Sequence, residues 1–461
     1  MDILLNTSLI KDLFFKENNN LIKEELSGWG LFPRKKVIKL APRNINELKN
    51  AITSSSVIAR GNGRSYGDSS INNLKTIDMR NFNRFLYFDA SQGLLVSEAG
   101  VLLKEVIDIF LPKGWFPQVT PGTKFVTIGG MVAADIHGKN HLKDGSFGNH
   151  LHWIDIINNE GEIVRCSREE NSDLFSWTLG GMGLTGIILR VAFFLRPVKT
   201  SWIKEKTFVA RNVTQAFEIF EDNLNSTYSV AWIDCYSKGE RLGRSLIKLG
   251  EHAEIEELSL EKQLNPLTIP KNKKISIPFY FPSFVLTKFN VRIFNLLYFL
   301  KGRISKKNKF VDWDSFFYPL DKILDWNKIY GKKGFAQFQC VIPLSRSKKA
   351  ITELLNCISN SKSSSFLAVL KRFGPQKSNF SFPMEGYSLA LDFPINSDNL
   401  FLMKLLDEIT IKNGGRFYLA KDSRVKKDIF EKSDNRVNEF RKYREKLKFK
   451  FNSIQSKRLD L

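Results

Sequence analysis

Cysteine is scarce in this chain. Its four copies, Cys166, Cys235, Cys340 and Cys357, lie far apart and form no C-x-x-C pair, which argues against a disulfide framework or a thiolate zinc site. Long apolar runs are also missing. No stretch of about 18 uncharged apolar residues exists, so no membrane-spanning helix is expected. Met1 to Glu17 alternates apolar and charged residues and lacks a basic region followed by a clean apolar stretch. A signal peptide is therefore not expected, and the expected location is cytoplasmic. There is no zinc knuckle, homeodomain-like helix or RNP-type strand, so nucleic acid is not an expected partner. Acidic residues are in deficit, 48 against 70 lysines and arginines, and the net charge is +22. That surplus favours anionic partners such as phosphates or an acidic membrane face.

The 461 residues, 43% of them hydrophobic, suit two or three domains rather than one core. From about Val37 to Arg196 the chain is dense in glycine and short β-type segments, such as Val57-Ile58-Ala59 and Gly186 to Val191. From about Lys199 glycine thins and aromatics rise. Helices (Val213 to Asn223, Arg346 to Ser359) alternate with strands (Val230 to Tyr236, Ala336 to Ile342, Tyr387 to Phe393). The pattern predicts an α+β fold with domains at 14–198 and 199–404. The remaining C-terminal segment, 405–461, ends in a basic helical stretch.

One segment stands apart. From Lys262 to Val311 there is no acidic residue, while ten basic residues fall between Lys271 and Lys309 among many aromatics. Val285, Phe289, Ile293, Leu296, Leu297 and Leu300 recur at helical spacing, with Lys288, Arg292 and Asn295 on the other side. This predicts a basic amphipathic helix, suited either to a membrane surface or to packing on the second domain.

Three glycine clusters carry the chemistry. The first is Arg60-Gly61-Asn62-Gly63-Arg64-Ser65-Tyr66-Gly67-Asp68. Its G-x-G-x-x-x-G spacing is not the Rossmann fingerprint, no helix opening follows, and no Gly-Lys-Ser/Thr makes it a Walker loop. The second runs from Pro121 to His141 and holds Gly122, Thr127, Ile128, Gly129, Gly130, Ala134, Asp135, Ile136 and His137. The third is Gly180 to Gly186, next to Ile187. Together they suggest one long ligand bound along loop backbones. His137, His141, His150 and His152 cluster in a chain with five histidines. Carboxylates are poorly placed around them and no H-E-x-x-H helix exists, so a metal site is not expected.

The strings Gly63 to Asp68, Pro121 to His141, Gly145 to His150 and Gly183 to Gly186 resemble the FAD domain of vanillyl-alcohol-oxidase (PCMH-type) flavoproteins. So do Leu370 to Gly374, Leu391 to Ile395 and Tyr418 to Arg424. Within that group the chain is similar to the decaprenylphosphoryl-β-D-ribose 2-oxidase family. The resemblance implies a two-domain PCMH-type fold in which segment 405–461 returns to the first domain and FAD lies in a cleft, contacted by residues 60–67, Gly122, Thr127–Gly130, Ala134–His137, Gly186, Ile187 and Tyr418. It implies Lys421 as the first candidate for base, His137 as the second, and Gln337, Gln339, Lys371, Tyr66, Ser388 and Ala390 on the substrate side. The implied reaction is oxidation of the 2-hydroxyl of a polyprenyl-phosphate-linked pentose. A short-chain NAD(P)H-dependent reductase would follow, and segment 262–311 would lie on an anionic membrane. A soluble alditol or aldonolactone is the alternative substrate.

The chain departs from the pattern at three places. Arg64 stands where many relatives carry a flavin-linked histidine, so FAD is expected to be non-covalent. Ala390 replaces the cysteine attacked by covalent nitroaromatic inhibitors, which implies insensitivity to them and leaves the reaction intact. Ser388 replaces an asparagine, so substrate detail is open.

Overall fold

The computed structural model describes residues 23–52, 56–270, 272–362 and 365–461. The Met1 to Glu17 stretch, the start of the expected first domain and Lys271 of the basic run lie outside the described residues.

Two sheets build the glycine-rich region. A small mixed sheet holds β1 (Lys23–Ser27), β2 (Arg34–Leu40), β3 (Val57–Arg60) and β4 (Lys75–Asp78) in the order β1-β2-β4-β3. A second, six-stranded sheet contains β5 (Phe85–Asp89), β6 (Leu94–Glu98), β7 (Trp115–Pro117), β8 (Leu151–Ile157), β9 (Ile163–Ser167) and β10 (Ile187–Pro197). Its centre is β10, which pairs antiparallel with β6, β7 and β8. That strand reads as a nearly continuous apolar run because both of its faces are covered.

The remainder forms one eight-stranded antiparallel sheet. Its members are β11 (Trp202–Ala210), β12 (Tyr228–Ile233), β13 (Ser245–His252), β15 (Asn308–Asp312), β17 (Phe335–Pro343), β18 (Ala368–Phe373), β19 (Gly386–Pro394) and β20 (Arg416–Phe417), in the order β15-β11-β13-β12-β18-β19-β17-β20. A two-stranded ribbon, β14 (Ile275–Ser276) with β16 (Ile323–Leu324), stands beside it. Successive residues of a strand point to opposite faces. On β17 and β19 this sends Ala336, Phe338, Cys340, Leu389 and Leu391 to a fully buried face. There the helix Leu344–Asn360 covers them with Ala350, Ile351, Leu354, Leu355 and Ile358. Gln337, Gln339, Ser388 and Ala390 are left on the opposite face.

The C-terminal stretch returns to the small sheet. Phe451 bridges to Val57, and Ile454 N–H donates to Ile71 O at 2.7 Å. Arg458 ties two chain-distant carboxylates together, Asp68 at 2.9 Å and Asp422 at 2.9 Å.

The basic segment differs from its expected form. A helix does span Lys288–Ile304, capped by Thr287. It docks through a narrow stripe one turn apart, Val291, Asn295 and Phe299. Asn295, expected on the polar side, is 2% exposed, and its Nδ2 donates to Asp234 Oδ1 at 2.9 Å. The expected apolar face points outward instead, with Phe289 at 71% and Leu297 at 61% exposure. The docking wall explains the turn. Arg244 lies over the Phe299 ring, and Gly302 sits so close to Leu246 that a Cβ would collide. Among the described residues no helix is long and apolar enough to cross a membrane.

Candidate active site

The open face of the large sheet and the glycine loops enclose a cavity of about 750 Å³, within the ordinary range of ligand and cofactor sites. The first glycine loop forms one wall. The amide N–H groups of Asn62, Gly63, Arg64 and Ser65 donate to no other described residue. Four adjacent unpaired donors on a cavity wall are a cradle for a diphosphate. Gly61 is required there because a Cβ would strike Thr127 Oγ1, and Gly63 takes φ +63°. The Arg64 guanidinium stacks 4.1 Å from the Trp29 ring centre, and its Nε is buried without a partner. Loop and C-terminal turn are stitched together by Tyr66 N–H, which donates to Ala420 O at 2.9 Å.

The second cluster contributes differently from what its sequence suggests. Gly122 opens onto empty space in the cavity, while Thr127, Gly129, Gly130, Ala134, Ile136 and His137 line it. The amides of the short helix Ile128–Ala133 are already engaged. Ile128 N–H donates to Val101 O, Gly129 N–H to Ala99 O and Gly130 N–H to Thr127 Oγ1. These residues therefore offer packing surface rather than free donors.

Five expected cofactor contacts do not reach the cavity. Arg60 turns away to donate to Ser27 O at 2.7 Å. Gly67 packs under the Asp422 carbonyl, where any Cβ would clash. Ile128 and Ile187 are core residues with no exposure. Asp135 is spent on Ser146 Oγ and Gly148 N–H, each at 2.7 Å. Gly186 does line the cavity.

The sheet supplies the floor. Strand register sets Gln339 opposite Ala390, Ala390 opposite Val369, Val369 opposite Trp232 and Trp232 opposite Leu246. The row runs from polar to apolar. A second row places Lys371 opposite Ser388. At the polar end stand Lys421 and Tyr418 from the C-terminal turn. Tyr418 donates its hydroxyl to Ala134 O at 3.1 Å.

Electrostatics separate the candidate bases. His137 is enclosed by Phe373, Phe382 and Tyr418, with ring centroids 4.8, 5.5 and 4.9 Å away. Burial, reinforced by Lys371, His141 and Lys421, holds its pKa well below the usual imidazole value, so the ring is neutral. Its Nε2 lies 3.2 Å from Gln339 Nε2 and accepts from that amide, while Nδ1 has no partner. Lys421 sits over the Tyr66 ring, 3.5 Å from its centre. Burial pulls its pKa down, Lys371 pulls further, and Asp392 opposes both. Burial pushes Asp392 up, against hydrogen bonds from Gln337 and Tyr330.

The other histidines have separate tasks. His141 Nε2 pairs with Gln376 Oε1 at 2.7 Å, His150 with Asp144 O at 2.8 Å, and His152 packs on Phe194. Sequence reasoning passed over Asp392, Lys139, Lys248, Trp29 and Trp232. The first two lie inside motifs already singled out. The others have no local pattern, because only strand pairing and loop closure bring them to the cavity.

A family model for an FAD binding domain matches residues 38–167. The decaprenylphosphoryl-beta-D-ribose oxidase of Mycolicibacterium smegmatis is 35% identical over 428 residues, covering 90% of this chain and 93% of that protein. A putative D-arabinono-1,4-lactone oxidase of Neurospora crassa is 26% identical over 36% of this chain and 31% of its own length. A cytokinin dehydrogenase of Oryza sativa is 29% identical over 36% and 33%. With the cradle and the buried Lys421 and His137, these matches define an FAD-dependent oxidoreductase of the PCMH type that acts on CH–OH groups. More narrowly, the chain belongs to the decaprenylphosphoryl-β-D-ribose oxidase family. The site fits the cofactor: unpaired N–H donors face the cavity, and glycines leave room along its wall.

Proposed function

We propose that this enzyme oxidises the 2-hydroxyl of a polyprenyl-phosphate-linked pentose to the 2-keto sugar. Bound FAD supplies the acceptor for a hydride leaving a carbinol carbon. Lys421, whose pKa burial pulls down to about 7, takes the hydroxyl proton in its neutral form as the carbonyl forms. Neutral His137 and the amides of Gln337 and Gln339 orient the sugar against it. The roles of these residues rest on their convergence at one end of the cavity. FAD is held without a covalent bond through Arg64, which is occupied against Trp29.

The observation that carries the lipid-linked substrate is the far end of the cavity. Beyond the polar end its wall becomes Trp232, Leu246, Phe294, Tyr298 and Phe366. Phe294 and Tyr298 belong to the helix Lys288–Ile304, whose outer face is apolar and exposed. An apolar channel ending at an amphipathic helix suits a prenyl chain drawn from an anionic membrane surface. The 2-keto product would pass to a short-chain NAD(P)H-dependent reductase, completing an epimerisation. A soluble aldonolactone or alditol is the second reading, favoured by the stretch similar to the lactone oxidase. Anaerobic flavin reduction by the lipid-linked sugar tests the first against the second.

A further inference from the structure

Lys421 accounts for one lysine of the cavity. Three others, Lys139, Lys248 and Lys371, line the same space with no part in proton transfer. Lys371 stands on β18, beside Ser388 of β19. Lys248 stands on β13, opposite Val230 of β12. Since β12 lies between β13 and β18, the two lysines are two strand spacings apart, about 10 Å between backbones. Two four-carbon stems can close that gap. Lys139 approaches from the facing wall. Its carbonyl accepts from Ser229 N–H at 2.8 Å, one residue before Val230. The three ammonium groups therefore surround the space above Val230.

Counter-charge is short there. Lys139 Nζ donates to the neutral carbonyl of Phe317 at 2.8 Å. Lys248 pairs with Glu205 at 3.2 Å, but Glu205 is shared with Lys309, also at 3.2 Å. The Lys371 ammonium group makes no hydrogen bond or ion pair with any described residue. Of the cavity's carboxylates, Asp321 is engaged by Lys124 N–H at 2.9 Å. Burial and the nearby Lys371 and Lys248 push Lys139 down to about 7, and burial pushes Lys371 down to about 8. A bound anion would relieve both effects.

The lysine row runs alongside the floor row and spans its two ends. Lys371 is paired with Ser388, next to Gln339 and Ala390 at the sugar end. Lys248 stands two residues from Leu246 on the same strand and face, where the apolar wall begins. A phosphodiester is what joins a sugar to a prenyl chain.

Resting on the lipid-linked reading above, we infer that Lys139, Lys248 and Lys371 form the seat for the phosphate between sugar and lipid. They set the distance at which the sugar hydroxyl meets Lys421. They are positioning residues that favour phosphorylated lipid over neutral lipid.

Titration of the FAD-loaded enzyme with farnesyl phosphate, farnesol and inorganic phosphate tests this, read by flavin absorbance and fluorescence. Wild type is expected to bind farnesyl phosphate at least about tenfold more tightly than farnesol. Lys248→Met and Lys139→Met should each lose about tenfold of that preference while farnesol affinity stays put. Lys248→Arg should retain it. Lys248 is 36% exposed, so its variants keep the test open if Lys139→Met fails to fold. Equal binding of farnesyl phosphate and farnesol by wild type would overturn the seat, as would Met variants that keep the preference. Inorganic phosphate binding as tightly as farnesyl phosphate would overturn its assignment to a lipid phosphate. A lysine-dependent preference without flavin reduction by lipid-linked ribose would uphold the seat and reject the sugar. Flavin reduction with no lysine dependence would reject the seat alone.

Discussion

The Lys421 ammonium nitrogen lies 3.5 Å from the centre of the Tyr66 ring, joining the glycine loop to the C-terminal turn across more than three hundred residues of chain. An aromatic face stabilises a cation, yet burial pulls the other way and lowers the lysine pKa. The outcome is an amine that can be neutral at ordinary pH, as the base role proposed for it requires.

Lys421→Met should lower the rate of flavin reduction by about 10²- to 10⁴-fold, the range for losing a general base. FAD content should stay at the wild-type level, because the cradle lies on the Asn62–Ser65 wall. Stopped-flow absorbance with a flavin-to-protein ratio reads both. A rate within a few-fold of wild type would remove Lys421 from the base role.

The pH profile has a fixed sign. Protonated Lys421 cannot accept a proton, so the rate should fall as pH drops through its lowered pKa and level off above it. Asp392 raises that pKa. Asp392→Asn should therefore move the profile to lower pH. A shift to higher pH would contradict the pairing.

Arg458 holds two buried carboxylates, Asp68 at 2% and Asp422 at 4% side-chain exposure. Arg458→Met leaves both without their cation and should cost about 3–5 kcal/mol of stability. Denaturant unfolding measures it. The glycine loop and the turn bearing Lys421 meet at this link, so FAD retention should fall as well.

Phe289 and Leu297 are exposed on the helix Lys288–Ile304. Replacing both with serine removes no core contact and should leave thermal stability within about 0.5 kcal/mol. Partition onto vesicles containing anionic lipid should drop, each side chain being worth about 1.5–3 kcal/mol when buried. Co-sedimentation at low and high salt measures it. Unchanged partition would take the helix off the membrane.

The glycine clusters were legible in sequence because close approach of backbone to ligand restricts residue choice locally. The strand alternation of Gln337 and Gln339 was legible for the same kind of reason: both face the cavity as their two-residue spacing requires. What escaped was set at longer range. Asp135 and Ile187 sit inside the right motifs but face a hydrogen-bond network and the core. Lys248 and Trp232 reach the cavity through strand register between distant segments. The helix Lys288–Ile304 has the expected span but docks through Asn295, since a buried carboxylate at Asp234 outweighs hydrophobic periodicity in choosing the packed face.

Arg64 is stacked on the Trp29 ring, and the glycine loop from Arg60 to Asp68 holds no histidine or cysteine for a flavin link. Acid precipitation should therefore release all the flavin into the supernatant. Flavin retained in the washed pellet would contradict non-covalent binding.

The most direct test of the central claim is anaerobic mixing of the FAD-loaded enzyme with polyprenyl-phosphoryl ribose, followed at the flavin absorbance band, beside a free alditol and an aldonolactone. Rapid bleaching by the lipid-linked sugar, with little by the free polyols, is the predicted result. Bleaching by a free polyol and none by the lipid-linked sugar would contradict it.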